Sequence, residues 1–152
     1  MDADFGGDVD TRRSTTGFIF SMNGGPVSWR SCLQPITTLS TIEAEYIGIT
    51  EAAKEALWLK GLTEEMGCIQ GVVRVHCDSQ SALQLVQNSV YHARTKHIDI
   101  RYHRIRELVE DGEVELMKVY TKENPADALT KVLPRDSFHK CVGLMQMIDR
   151  ME

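Results

Sequence analysis

Four short stretches set an acid among apolar or small residues, where a carboxylate needs a reason. In "VRVHCDSQSALQL" (Val73–Leu85) a strand runs straight into a helix, and Asp78 stands at the junction. Asp78 either caps the helix, since Asp and Ser side chains accept orphan backbone N–H groups, or faces a ligand, since open α/β sheets bind ligands at the carboxyl ends of strands. In "STIEAEYIGITEAAKEALWL", a turn of 100° per residue puts Ile42, Glu45, Tyr46, Ile49, Ala53 and Ala56 on one face. Glu45 falls at the edge of that apolar stripe, where an ionised carboxylate is costly unless it is paired or holds a metal. Glu43 falls on the opposite face, near Thr50 and Lys54, as ordinary solvated surface. "NPADALTK" places Asp127 in the first turn of a short helix between Ala126 and Ala128; it suits the helix dipole or a bulky approaching ligand. "MDADFGGD" opens the chain with Asp2, Asp4 and Asp8, which read alone as a polar terminus. Taken together, these acids suit divalent magnesium or manganese, which take carboxylate and water oxygens. Two such ions roughly 3.5–4 Å apart activate a water and stabilise the leaving oxygen in phosphodiester cleavage.

Positioning these acids falls to a readable series of elements. "GFIFSM" and "PVSWRS" form a hairpin about Asn23-Gly24-Gly25, whose residues tolerate positive φ. A long helix follows, capped by Ser40 or Thr41 and closed by Gly67. Then come the strand Val72–Cys77 and a helix over about Ser79–Asn88. A second amphipathic helix carries Ile98, Tyr102, Ile105, Leu108 and Val109 on one stripe. "DGEV" is a turn, "EVELMKVYT" alternates like a strand, "NPADALTKVL" is a short helix and the chain ends in a helix from about Pro134. An antiparallel start followed by strand–helix alternation implies α/β architecture, a mixed sheet flanked by helices.

The chain has 152 residues, 42% of them hydrophobic, which suits one domain. No apolar run approaches the roughly 20 residues of a membrane span. Four cysteines (Cys32, Cys68, Cys77, Cys141) without C-x-x-C pairing fit reduced thiols in an intracellular protein. His76, His92, His97 and His103 lack a matching cysteine pair, so zinc is not expected. Trp29, Trp58 and the methionines read as core. The net charge of −5 argues against a stand-alone nucleic-acid binder. Yet "HARTKHIDIRYHRIR" gathers Arg94, Lys96, Arg101, Arg104 and Arg106 against the single acid Asp99, a local basic patch.

The motifs "DADFGGDVDTRRSTTGFIF", "GGPVSW", "STIEAEYIGITEAAKEALWL", "HCDSQSAL", "HARTKHIDIRYHRIRE" and "ENPADALTK" span almost the whole chain. In that order they resemble the ribonuclease H domain of reverse transcriptases from copia-type LTR retrotransposons. The resemblance implies a ribonuclease H-like fold, a five-stranded mixed sheet with helices on both faces. It places the domain at residues 1–133, with 134–152 as a helical extension of the same domain. It also implies an Asp-Glu-Asp-Asp site: Asp2 in "DAD", Glu45 in "EAEY", Asp78 in "CDSQ" and Asp127 in "PAD". In that case Asp78 ends its strand as a metal ligand and Ser79 does the capping. Only Met1 precedes Asp2, so the expectation is a truncated first strand that anchors Asp2 poorly, with Asp4 past the strand end. Many members carry a His in the loop before the last Asp; "VYTKENPAD" has none, so either Thr121, Lys122 or Asn124 serves in its place or the step it assists is missing.

The implied activity is hydrolysis of the RNA strand of RNA–DNA hybrids by two Mg2+ ions, Mn2+ substituting, during reverse transcription. Ser79, Gln80 and Asn124 are the candidates for 2′-hydroxyl contacts, which distinguish RNA from DNA. Arg94, Lys96 and His97 are the candidates for phosphate contacts. The acidic net charge leaves most of the hybrid affinity to the polymerase domain of the same polyprotein. The implied setting is the cytoplasm, within a virus-like particle, with no membrane partner. The rival expectation is an impaired ribonuclease H-like module that only binds nucleic acid or the polymerase domain.

Overall fold

The computed structural model describes residues 1–88 and 104–147. The architecture is α/β. Strands β1 (Asp2–Ala3), β2 (Thr15–Met22) and β3 (Gly25–Leu33) form an antiparallel sheet, and β4 (Val73–Cys77) pairs in parallel with β5 (Val114–Lys118). Helices α1 (Thr41–Glu65), α2 (Gln80–Gln87), α3 (Arg104–Glu110) and α4 (Arg135–Leu144) surround them. Asn23 and Gly24 turn the β2–β3 hairpin with φ of +52° and +85°, as a tight primed turn requires.

The hydrogen-bonded ladders divide into two sheets rather than the expected five-stranded one. With only two residues, β1 offers β4 no ladder. The sheets meet instead through the Met1 ammonium, which donates to the His76 carbonyl at 2.7 Å. The first strand is thus short, as expected, but the poor anchoring of Asp2 is not found. Asp2 is 1% exposed.

Helix α1 is the central element. Ser40 caps it by accepting from Glu43 N, and the Glu43 carboxylate reaches back to Leu39 N at 2.8 Å, a variant of the capping box. Gly67, at φ +80°, donates to Glu64 O and ends it. From Ala44 to Ala53 the helix is buried nearly all round, because β1, β2 and β4 lie along it and α2 and α3 also pack against it. Thr50 is therefore inside, its hydroxyl donating to Tyr46 O, and not on the solvated face read from the helical wheel. Gly48 permits the closest approach: a Cβ there would run into the Met1 side chain and meet Ala3 Cβ at 3.5 Å.

The core unites Phe18, Tyr46, Ile47, Ile49, Val75, Leu83, Ile105 and Val114, each apolar side chain contributing about 1.5–3 kcal/mol by leaving water. Trp29 and Trp58 are not in it, being 56% and 61% exposed. Trp29 lies on the edge strand β3, and Trp58 lies in the C-terminal part of α1, beyond its nearly continuous run of buried residues. The methionines are split: Met1 and Met145 are buried, whereas Met66 and Met147 are exposed.

The segment "NPADALTKVL" makes a tighter element than expected, a 3-10 helix over Pro125–Leu129 that follows another at Thr121–Glu123. Helix α4 packs on it and buries Cys141 and Met145. Among the described residues, no helix is long and apolar enough to cross a membrane.

Candidate active site

Asp2 on β1, Glu45 on α1, Asp78 at the β4–α2 junction and Asp127 on the 3-10 helix Pro125–Leu129 converge. One carboxylate oxygen each of Asp2, Asp78 and Asp127 lies within 4.8 Å of the other two. Glu45 joins through Asp78 and Cys77, whose ligand atoms meet within the same distance. These are hard oxygen donors around one point, with a single thiol at the inner edge.

Local structure explains each placement. Asp2 stands opposite Gly17 across the β1–β2 ladder, so no side chain on β2 crowds it. The next residue, Ala3, donates its N–H to Glu45 Oε1 at 3.3 Å, fixing β1 to α1. Along β4, Val75 and Cys77 point inward and Arg74 and His76 outward, as strand alternation dictates. Asp78 follows directly. Its neighbour Ser79 caps α2 by accepting from Ala82 N, so the capping is done by Ser79 and not by Asp78. Lys118, at the end of the paired strand β5, donates to the Asp78 carbonyl. Asp127 sits in the first turn of the 3-10 helix, whose N-cap Asn124 accepts from Ala126 N at 3.2 Å.

Burial and like charge shape the electrostatics. Glu45, 7% exposed, is pushed up to about 7, first by desolvation and then by the charges of Asp2 and Asp78. Asp127 is raised by burial and by Asp2, against the pull of Lys131. Burial raises the Cys77 thiol to about 12, so it stays protonated, with Sγ 3.6 Å from Glu45 Oε2. Burial also raises Asp4, whose carboxylate accepts from Thr15 N and ties the loop after β1 to β2 rather than entering the cluster.

One cation already sits among the acids. The Lys131 ammonium lies 3.0 Å from Asp2 Oδ1 and 3.2 Å from Asp127 Oδ1. The adjacent Thr130 hydroxyl donates to the other Asp2 oxygen. Sequence reasoning missed both residues, although "DALTK" carries the signal: Lys131 is four residues after Asp127, the spacing at which a helical ion pair forms.

The proposed substrate contacts fare unevenly. Gln80 is exposed beside the cluster, and Ser79 is partly exposed but committed to its cap. Asn124 is buried, with its amide donating to Met1 O at 2.9 Å and its carbonyl capping the 3-10 helix, so its side chain ties the chain together beside the cluster. Of the other two residues standing where a loop histidine was sought, Thr121 and Lys122 are exposed. Arg94, Lys96 and His97 lie outside the described residues.

The chain is similar in sequence to retrovirus-related Pol polyproteins of transposons. The chain is 55% identical over 146 residues to the Pol polyprotein from transposon TNT 1-94 of Nicotiana tabacum, covering 96% of this chain and 11% of that relative. It is 38% identical over 150 residues to the Pol polyprotein from transposon RE2 of Arabidopsis thaliana, covering 96% of this chain and 10% of the relative. Transposon RE1 of the same plant gives 38% over 138 residues, or 90% of this chain and 9% of the relative. The chain thus spans about a tenth of the length of the curated relatives it matches. No protein-family model and no solved structure matches it.

Proposed function

We propose that this chain is the ribonuclease H domain of a copia-type retrotransposon Pol polyprotein, hydrolysing the RNA strand of RNA–DNA hybrids. The observation that carries the reading is the convergence of Asp2, Asp78 and Asp127, with Glu45 joined through Asp78, from positions spread over the whole chain. The homology to transposon Pol polyproteins supports it. The two sheets read as the halves of one ribonuclease H-like sheet, with the contact from Met1 to His76 marking where they would join.

The donor set fits hard divalent cations. It is rich in carboxylate oxygens, and it holds an ammonium already. Mg2+ and Mn2+ prefer such oxygens. Asp2, Glu45, Asp78 and Asp127 would hold two such ions. When bound, they supply the polarisation that makes a water nucleophilic and neutralises the leaving oxygen. The chain's own part is to fix these carboxylates on elements tied to one another. Gln80 stands beside Asp78 to meet a ribose hydroxyl, the Ser79 hydroxyl, whose oxygen caps α2, keeps its proton to donate to another, and Arg94, Lys96 and His97 are proposed for phosphates. Products are a 3′-hydroxyl and a 5′-phosphate. The polymerase domain of the same polyprotein is the proposed partner, and the cytoplasmic virus-like particle the proposed setting.

The test is cleavage of an end-labelled RNA–DNA hybrid with Mg2+ or Mn2+, beside Asp78→Asn. Cutting of the RNA strand alone, at least about 100-fold slower in Asp78→Asn, is the expected result, since metal-borne charge stabilisation is worth several kcal/mol. Hybrid binding without cutting would favour the non-catalytic module instead.

A further inference from the structure

Asp2 is almost fully buried, and both of its carboxylate oxygens are engaged by one dipeptide. Thr130 donates to Oδ2, and Lys131 reaches Oδ1 at 3.0 Å. The same ammonium spans to Asp127 Oδ1 at 3.2 Å. Its side chain is 39% exposed while that of Asp2 is 1% exposed. The lysine therefore bridges two members of the acid cluster from the solvent side. A buried carboxylate stripped of its partner is strongly unfavourable. Two carboxylates held close repel unless a cation lies between them.

We infer that Lys131 is a tethered counter-cation: its ammonium holds Asp2 and Asp127 together in the cation-free protein and competes with a divalent ion for the same oxygens. This rests on the reading of the acids as a divalent-cation site. Geometry supports competition rather than coexistence. An ammonium hydrogen-bonds carboxylates near 3 Å, whereas Mg2+ sits at about 2.0–2.1 Å from its oxygens. Asp2 Oδ1 and Asp127 Oδ1 cannot close on a small ion while the ammonium stands between them. The lysine stem is flexible, and the side chain is 39% exposed. Binding of the ion is then an exchange of one cation for another, and the site is already shaped when the ion arrives. Lys131 is a positioning residue in this scheme.

The test is calorimetric titration of the intact chain with Mn2+ alone, without nucleic acid, for the parent, Lys131→Met, Lys131→Arg and Asp78→Asn. Lys131→Met should bind Mn2+ about tenfold tighter or more, the range for removing one charged, hydrogen-bonded competitor. It should also melt at a lower temperature in chelator, and Lys131→Arg should return the affinity toward that of the parent. Equal affinity in the parent and Lys131→Met, with binding still lost in Asp78→Asn, overturns the inference and leaves the cation site standing. Absence of binding in all four overturns both. A second measurement needs no variant: the acetylation rate of Lys131 in the parent, read by mass spectrometry. It should rise about tenfold on adding Mn2+, as the ammonium is released; an unchanged rate overturns the inference.

Discussion

Glu45 holds its proton more readily than a free carboxylate, because it is buried and lies near the charges of Asp2 and Asp78. Its pKa of about 7 in the fold lies above its ordinary 4.5, so folding favours the protonated form. The contribution of this group to stability is complete below about 4.5 and is lost as pH rises through about 7. In chelator, the urea midpoint should fall between pH 5 and pH 8, and Glu45→Gln should flatten that slope. Saturating Mn2+ should do the same in the parent, because the ion replaces the proton. Glu45 was legible in sequence because helical periodicity isolates an acid on an apolar face. The structural part of Asn124 was not legible, because its type suits either a ligand contact or a cap, and only the fold shows its amide turned toward Met1. Lys131 was missed because a lysine four residues after an aspartate usually marks an ordinary surface pair; what sets it apart is Asp2, 129 residues away in sequence.

The 3-10 helix that carries Asp127 is positioned by the absence of a side chain. A Cβ on Gly17 would stand 2.8 Å from Leu129 Cβ and 2.8 Å from Thr130 Cγ2. Gly17→Ala should therefore push this helix off β2, destabilise the fold by about 1–3 kcal/mol and lower cleavage, because Asp127 and Lys131 move away from Asp2. Gly61→Ala is the matched control. Nothing lies within 4 Å of its added Cβ inside α1, so it should raise stability by up to about 1 kcal/mol. Thermal unfolding of the two variants decides. Caps and turns were well marked at this scale: Ser40, Gly67, Asn23-Gly24 and Ser79 all act where their types place them. What the sequence concealed was the all-round burial of α1: periodicity marks the stripe through Tyr46 and Ile49 but not that Ala44, Gly48 and Thr50, which lie off it, are covered as well.

Across the whole molecule, the net charge of −5 opposes a polyanion. Hybrid binding by the isolated chain should be no tighter than about micromolar and should weaken further between about 50 and 200 mM salt; fluorescence anisotropy with Asp78→Asn measures it without cleavage. Nanomolar, salt-insensitive binding would contradict the reading. Among the described residues the order of strands and α-helices was legible, but the 3-10 turn at Thr121–Glu123 and the joining of the strands were not. Whether β1 and β4 share a ladder depends on how many residues face each other across it, and periodicity does not report that. The two tryptophans show the same gap, since residue type says nothing about where the sheet stops covering a helix. The clasp between Asp2 and the dipeptide Thr130-Lys131 has a temporal consequence. Contacts 128 and 129 residues apart form late, because closing so long a loop costs entropy before any contact repays it. A ribosome that has made α1 and the first four strands has made two of the four acids, Asp2 and Glu45, and no site. On the proposed function, no cleavage is possible until the segment through Lys131 has been made, because Asp127, Thr130 and Lys131 all lie in it.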